Sequence, residues 1–263
     1  MIQVFKIGGN VVDNPVMLNG FLQDFAKIPG PKVLVHGGGV MASQMQKALG
    51  MSPLMIQGRR VTDEETLKVV TMVYAGWCNK RITALLQAKG CNAIGLTGAD
   101  GNAICARRRP PVDIDGQMID YGFVGDVKPE GVNTAFIKSL ISQGIVPVLC
   151  AINHDGQGNL LNTNADTIAS SVAIALGEGT QLIYCFEKDG VLADKDDDSS
   201  VIPHISKDEF EKLKAEGIIA DGMIPKLENA FKAIKAGVEK VIIKHARNIL
   251  NERGTILKRR QKN

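Results

Sequence analysis

The sequence contains little that would place the protein in a membrane or outside the cell. No apolar run reaches the roughly 18 residues that a membrane-spanning helix needs, and the first residues do not combine a basic segment with an apolar one, as a secretory signal does. The 5 cysteines are scattered, and none forms a C-x-x-C pair, so neither a zinc site nor a disulfide framework is expected. We therefore expect reduced thiols in a cytoplasmic protein with no membrane partner.

Common nucleotide-binding motifs are missing as well. The chain has no G-x-x-x-x-G-K-[ST] sequence, no G-x-G-x-x-G sequence after its first predicted strand, and no protein-kinase signature. A P-loop enzyme and a protein kinase are thereby excluded, and a nicotinamide-dependent dehydrogenase is disfavoured. The formal net charge is only +3. Because the basic clusters Arg107–Arg109 and Lys258–Arg260 are typical of solvated segments, we expect no nucleic-acid partner.

What the chain does contain is a regular alternation of short apolar segments with helical ones. Apolar strands without in–out alternation are covered on both faces, so the pattern predicts a single α/β domain, a three-layer α/β/α sandwich with a mainly parallel central sheet. A long helix is predicted over 63–89, with Thr62 as N-cap and Glu65 completing a capping box. The other predicted helices are about 15–26, 39–49, 134–143, 165–176, 207–215 and 223–236. The predicted strands are 2–7, 32–36, 93–96, 146–150, 182–185 and 241–243, and 153–159 is predicted to be a hairpin-like loop.

Glycines follow the predicted strands at Gly8-Gly9 and at Gly37–Gly39, and a third glycine-bearing strand end lies at 95–98. A strand that runs into glycines and then a helix exposes backbone N–H groups, which bind anions such as phosphate. Lys6 lies inside the first of these strands, between apolar neighbours. A buried lysine is costly unless an anion pairs with it, and the alternative is a lysine whose ammonium reaches water at the strand end.

Two further charged residues have ordinary explanations when each is taken alone. Asp166 lies at the start of a predicted helix, where the helix dipole favours an acidic side chain. Lys226 lies on a later predicted helix, where a solvent-exposed lysine is common.

Together the motifs resemble those of the amino acid kinase family. The matching segments occur in the family's order and span nearly the whole chain. K-x-G-G is shared across the family, whereas G-x-R-V-T and N-x-N-A-D point to its acylglutamate branch. The segments are Lys6–Gly9, Val35–Gly39, Gly58–Asp63, Gly122–Gly125, Leu161–Asp166, Asp221–Lys226 and Gly254–Thr255.

The resemblance implies transfer of the γ-phosphate of ATP to the side-chain carboxylate of an N-acylglutamate, with N-acetylglutamate as the expected substrate in arginine biosynthesis. It implies that Lys6 and Lys226 stabilise the transferred group and that Asp166 holds both ammonium groups. The nucleophile is already ionised, so no general base is needed. The residues implied in substrate binding are Gly38, Gly39, Arg60 and Asn162, and those at phosphate are Gly8 and Gly9. The residues implied at the nucleotide are Glu187, Lys188, Asp189, Gly190, Val191, Leu192, Ile218, Ile219 and Ala220.

The resemblance also implies partners and a division of labour. Mg²⁺ is expected to accompany ATP and bridge its phosphates, with few protein ligands. Residues from about 1 to 145 are expected to bind the acylglutamate, and those from about 146 to 263 the nucleotide. Some family members that arginine inhibits have an additional N-terminal helix that links dimers into a hexamer. The first predicted strand begins at Ile2, so we expect a homodimer that is insensitive to arginine.

Departures from the family pattern leave alternatives open. Phe186-Glu187 replaces the usual Ser/Thr-Asp pair, so we expect an altered purine pocket with relaxed base preference, or even a non-catalytic amino-acid sensor. Another family member, such as a carbamate, aspartate or glutamate kinase, is a closer alternative. A third is an N-succinylglutamate substrate, whose second carboxylate would be bound by Asn153 or His154. Arg59 also departs from the pattern, but in extended backbone it would point away from Arg60.

Overall fold

The computed structural model describes residues 1–194, 196–219 and 223–258. The first strands are β1 (Ile2–Ile7), β2 (Lys32–His36), β3 (Met55–Ile56), β4 (Arg59–Arg60), β5 (Ala93–Leu96), β6 (Arg107–Arg108), β7 (Val112–Ile114) and β8 (Gln117–Ile119). The later strands are β9 (Val124–Asp126), β10 (Val146–Cys150), β11 (Ile152–His154), β12 (Leu160–Thr163), β13 (Thr180–Phe186), β14 (His204–Ile205), β15 (Lys240–His245) and β16 (Thr255–Lys258).

The α-helices connect these strands. They are α1 (Gly9–Asp13), α2 (Pro15–Lys27), α3 (Gly39–Ala48), α4 (Glu64–Thr71), α5 (Asn79–Gln87), α6 (Thr134–Ser142), α7 (Ala165–Leu176), α8 (Lys207–Ala215) and α9 (Met223–Lys235). A π-helical segment, Met72–Cys78, joins α4 to α5. Short 3₁₀ turns lie at Asp100–Asn102, Pro129–Gly131 and Ala246–Asn248. No helix in these described ranges is both long and apolar enough to cross a membrane.

The central sheet has the strand order β14-β16-β15-β13-β1-β2-β10-β5. Neighbouring strands run parallel throughout the described part of this sheet, except that β15 and β16 are antiparallel. Every residue of β2 and β10 is buried, as expected for strands that are covered on both faces. The predicted α/β class with a mainly parallel central sheet is confirmed.

The two faces of the sheet are covered by different helices. Side chains of consecutive strand residues point to opposite faces. In β1, Phe5 packs edge-on against Phe25 of α2, with ring centroids 5.2 Å apart. The next residue, Lys6, points to the other face and contacts Asp166 of α7. This alternation makes β1 the strand that delivers a lysine to the site while its other face contributes to the core.

A smaller sheet lies beside the central one, in the order β11-β12-β9-β6. The antiparallel pair β11–β12 confirms the predicted hairpin around 153–159. Strands β9 and β12 are parallel, although a long stretch of chain separates them, and Asn162 aligns with Val124. This second sheet forms one wall of the candidate substrate pocket.

Three details differ from the sequence-based predictions. Thr62 is not the N-cap of α4, because the Asp63 carboxylate accepts the Thr66 N–H at 2.7 Å and is the cap instead. The predicted helix over 63–89 is helical along nearly its whole length, but its middle is π-helical. Strand β16 was not predicted, since Thr255–Lys258 is a short segment at the antiparallel side of the sheet.

Candidate active site

The candidate site lies where β1 and β2 end side by side. Parallel strands present their carboxyl ends at one edge of the sheet, and ligands of open α/β sheets bind there. Gly8-Gly9 follow β1, and Gly37–Gly39 follow β2. Two cavities meet at this edge, one of about 190 Å³ and one of about 480 Å³. Both are lined by Gly37–Gly39 and Arg60, so the glycine loop is a shared wall.

The structure brings together the three charged residues that the sequence had placed far apart. Lys6 Nζ lies 2.6 Å from Asp166 Oδ1, and Lys226 Nζ lies 3.7 Å from Asp166 Oδ2. The Lys6 and Asp166 side chains are only 9% and 17% exposed, whereas that of Lys226 is 29% exposed. One carboxylate thus bridges two ammonium groups beside the larger cavity, which Lys6 and Lys226 both line.

The protonation of Asp166 follows from this arrangement. Burial on its own would raise the pKa of the Asp166 carboxyl, but the charges of Lys6 and Lys226, and the contacts that they make, outweigh burial and hold the pKa below its ordinary value. Asp166 is therefore ionised at neutral pH. An ionised carboxylate neutralises only half of the positive charge of the two lysines, so the group retains a net positive charge for an anion.

Local structure explains how Asp166 reaches Lys6. Asn164 is the N-cap of α7, and its side chain accepts the Thr167 N–H at 3.0 Å. This cap starts the helix so that Asp166 lies in its first turn, over the end of β1. The Tyr184 hydroxyl donates to the Asp166 carbonyl at 3.3 Å and ties the same turn to β13.

The two glycines after β1 contribute in different ways to the larger cavity. The Gly8 N–H donates to the Cys185 carbonyl at 3.0 Å, so Gly8 extends the sheet and offers space rather than a donor. Gly9 begins α1, and the first N–H groups of a helix have no intrahelical acceptor. Gly9 is therefore the better placed of the two to donate to a phosphate oxygen.

The smaller cavity is built around Arg60, which is almost fully buried. Its guanidinium donates to the Gly39 carbonyl at 2.9 Å, to Ser43 Oγ at 2.8 Å and to Gln46 Oε1. Its Nε is buried and has no hydrogen-bond partner among the described residues. Ser43 and Gln46 lie one turn apart on α3, so a helix face fixes the arginine at the cavity.

Asn162 also lines the smaller cavity, and the fully buried Thr62 holds its side chain. Asn162 Nδ2 donates to Thr62 Oγ1 at 3.0 Å, and Thr62 Oγ1 donates to the Arg60 carbonyl at 3.0 Å. Gly122 has a φ of +73°, and a Cβ there would lie 2.3 Å from the Thr62 carbonyl oxygen. Only glycine fits this contact, which explains the glycine in the Gly122–Gly125 segment.

Gly38 is constrained by close packing. A Cβ on Gly38 would lie 2.9 Å from the Tyr74 ring and 3.1 Å from Cys78 Sγ. Tyr74 belongs to the π-helical segment and lines the smaller cavity. The π-helical turns therefore place an aromatic ring directly behind the glycine loop.

The residues predicted at the nucleotide fall into two groups. Glu187 lines the larger cavity, and Asp189 lines a neighbouring cavity of about 390 Å³ that also includes Gly254. Val191 and Ile219 are buried, so their side chains pack in the core rather than line a cavity. Among the remaining predicted residues, Lys188 pairs with Asp198, and Gly190 packs against Thr255. Leu192 forms a β-bridge with Val201, and Ile218 is exposed. Ala220 lies outside the described residues. Their role at the nucleotide remains a prediction.

The side chains proposed to bind a succinyl group are not in the pocket. Asn153 is fully buried, and its amide donates to Thr163 Oγ1 at 2.6 Å. His154 contacts Asn102 Oδ1 at 2.8 Å and accepts the Gly156 N–H. Neither lines the smaller cavity, although Arg59 does. The placement of Asn153 and His154 therefore gives no support to a succinylated substrate.

Sequence reasoning missed several residues that shape the site. Ser43 and Gln46 hold Arg60, and Tyr74 supports Gly38. Thr62 was predicted to be a helix cap, whereas its hydroxyl accepts a hydrogen bond from the Asn162 amide. The G-x-R-V-T segment was a signal for Thr62, but nothing in the sequence near Ser43, Gln46 or Tyr74 indicated a role.

The chain is similar in sequence and in fold to proteins of known function. Residues 1–245 match the model of the amino acid kinase family. An acetylglutamate kinase of Phocaeicola vulgatus is 54% identical over 260 residues, which cover 98% of this chain and 98% of that protein. An acetylglutamate kinase of Bacteroides fragilis is also 54% identical, over 98% of this chain and 97% of that protein. In fold, the chain resembles an N-acetylglutamate synthase from Neisseria gonorrhoeae (TM-score 0.82, 24% identity), matching 99% of this chain but only 60% of that longer one.

Proposed function

Because this chain belongs to the amino acid kinase family, we propose that it transfers the γ-phosphate of ATP to the side-chain carboxylate of N-acetylglutamate, forming an acyl phosphate. The observation that carries the proposal is the pair Lys6 and Lys226, which share Asp166 at the larger cavity, where Arg60 and the glycine loop line both this cavity and the smaller one. The names of the relatives that are 54% identical over nearly their full length support N-acetylglutamate as the acceptor.

The geometry supports this chemistry because it places two ammonium groups where the two reactants would repel each other. The acceptor carboxylate and the triphosphate are both anionic. Ammonium groups beside the transferred phosphoryl group offset that repulsion and stabilise the negative charge that spreads over its oxygens in the transition state. Asp166 keeps both ammonium groups at one place without neutralising them. The chain needs no base, because a carboxylate is a nucleophile without deprotonation.

Arg60 is proposed to bind the acceptor rather than the phosphate. A guanidinium suits the planar geometry of a carboxylate. In the structure its NH groups already donate to the Gly39 carbonyl and to Ser43, while Nε remains without a partner among the described residues. We propose that the α-carboxylate of the substrate binds at Arg60 and that the side chain of Asn162, which lines the same cavity, contacts the same molecule.

The divalent metal is proposed to arrive with the nucleotide. The described residues contain no group of three or more His, Cys, Asp or Glu side chains that could hold a metal ion. Mg²⁺ commonly binds nucleotide phosphates and keeps several waters, so MgATP is proposed as the co-substrate.

A homodimer is proposed through the face that carries Met72 and Trp77. These side chains are 57% and 59% exposed in the π-helical segment. Residues five apart in a π-helix lie about one turn apart and so share a face. Large apolar side chains exposed together are typical of an interface, which favours a second copy of this chain.

A cytoplasmic location is supported by the five free cysteines, of which Cys78, Cys91, Cys150 and Cys185 are buried.

An ADP-release assay with purified protein tests the proposed reaction. N-acetylglutamate should support ADP formation, while glutamate, aspartate and carbamate should give much less, and N-succinylglutamate should give no more than the acetyl compound. ADP formation with glutamate or carbamate in preference would assign the chain to another branch of the family. Binding of N-acetylglutamate without any ADP release would indicate a sensor.

A further inference from the structure

Phe186 contacts both candidate catalytic lysines. It is the last residue of β13, and its ring lines the larger cavity. Lys6 Nζ lies 5.1 Å from the centre of the ring, and Lys226 Nζ also lies 5.1 Å from it. Both distances are within the roughly 6 Å at which an ammonium is attracted to an aromatic face. The two cations that share the Asp166 carboxylate thus also share one aromatic ring.

The ring is fixed by its neighbours. Tyr184 is two residues earlier on the same face of β13, and its ring stacks on that of Phe186 with centroids 6.0 Å apart and an angle of 8° between the planes. The ring edge also lies close to Gly8, where an added Cβ would be 3.3 Å from Phe186 Cδ1. Because β1 aligns Lys6 with Tyr184, Lys6 projects on the same face as both rings.

The charge of the site explains why a ring is useful here. Two ammonium groups close together repel each other, and one carboxylate holds them. A second carboxylate would hold them more tightly but would cancel the remaining positive charge and repel the incoming phosphates. An aromatic face attracts ammonium groups through its quadrupole and adds no net charge. It also leaves the lysine N–H groups that point into the cavity free to bind oxygen.

We propose that Phe186 is a positioning residue: its uncharged aromatic ring orients the ammonium groups of Lys6 and Lys226 toward the transferred phosphoryl group. This rests on the proposed phosphoryl transfer. The expected effect of Phe186 on the purine pocket remains a prediction; its ring lines the larger cavity, together with Lys6 and Lys226.

Site-specific fluorination of Phe186 tests the proposal with little change of volume. Mono-, di- and trifluorophenylalanine weaken the ring quadrupole stepwise, so kcat should fall stepwise while the KM for N-acetylglutamate changes little. Phe186→Leu should lower kcat about 5- to 30-fold, and Phe186→Tyr should restore most of it. Phe210 is the matched control, because Lys207 and Lys214 lie 4.6 Å and 5.8 Å from its ring, away from the glycine loops. Fluorination there should leave kcat unchanged.

A second measurement does not depend on turnover. After reductive ¹³C-methylation of the lysines, the Lys6 and Lys226 methyl resonances, assigned with Lys→Arg variants, should show a ring-current shift that disappears in Phe186→Leu. Loss of this shift without a kcat trend across the fluorinated series would overturn the positioning role. An unchanged spectrum in Phe186→Leu would overturn the contact itself. A wild-type protein that shows the shift but does not phosphorylate N-acetylglutamate would refute the proposed function instead.

Discussion

Two buried strand lysines allow a sharp test of the site, because only one of them faces the reaction. We expect Lys6→Met to lower kcat by about 10²–10³, the usual effect of removing one transition-state donor. The KM for N-acetylglutamate should change far less, since the lost contact is made mainly in the transition state. Methionine keeps the apolar stem, so the change removes the ammonium and little else.

Lys32→Met is the matched control. Lys32 begins the adjacent strand and is 5% exposed, but its ammonium donates to the carbonyls of Phe25 and Ile28 at the end of α2. Hydrogen bonds to a charged group contribute about 1.5–3 kcal/mol. At about 2 kcal/mol, Lys32→Met should lower Tm by roughly 4–8 °C and leave kcat unchanged.

The opposite pattern is expected for Lys6→Met in the same assays. Its loss leaves Asp166 paired with Lys226, so the stability cost should be well below the about 3–5 kcal/mol of a fully broken buried pair. Steady-state kinetics and thermal unfolding of both variants decide the matter. Near-normal kcat in Lys6→Met, or a comparable kcat loss in Lys32→Met, would refute the assignment of Lys6.

Three further predictions follow from the described contacts. The pKa of Asp166 is lowered in the folded protein, so the stability that its carboxylate contributes is present above its unfolded pKa of about 3.9 and is lost as pH falls below that value. The Tm difference between wild type and Asp166→Asn should therefore shrink on acidification. A pH-independent difference would contradict this. The added methyl of Gly38→Ala should collide with the Tyr74 ring, lower the free energy of unfolding by about 1–3 kcal/mol and raise the KM for N-acetylglutamate. Gly20 has open space around it in the described structure, so Gly20→Ala should not destabilise the protein. Equal effects would show that packing at the loop does not matter. Trp77→Glu should convert the proposed dimer to a monomer in light scattering, and a dimer that persists would place the interface elsewhere.

Much of the fold could be predicted because it depends on local patterns. The apolar strands at the centre of the sheet and the helix α7 with its Asn164 cap are encoded in short segments. The Thr62 cap was wrong for a physical reason: Thr62 finds a partner in Asn162, 100 residues away in sequence, while Asp63 satisfies the helix start. A capping pattern cannot reveal a distant partner that competes for the same hydroxyl.

The site shows the same limit. Lys6 could be singled out because glycines follow it, but Lys32 and Lys244 are equally buried strand lysines. Their ammonium groups donate to backbone carbonyls. In Lys244 the acceptors are the carbonyls of Asn248 and Asn251. Which buried lysine faces a ligand is therefore decided by tertiary contacts. The contact of Phe186 with both Lys6 and Lys226 likewise cannot be predicted until β13 is placed beside β1.

The most direct test of the central claim is whether the phosphoryl group reaches a carboxylate. With ATP, Mg²⁺, N-acetylglutamate and hydroxylamine, an acyl phosphate is trapped as a hydroxamate. We expect hydroxamate and ADP in equal amounts, both dependent on N-acetylglutamate and both strongly reduced in Lys6→Met. ADP formed without hydroxamate would mean transfer to water or another acceptor and would contradict the proposed transfer to the carboxylate.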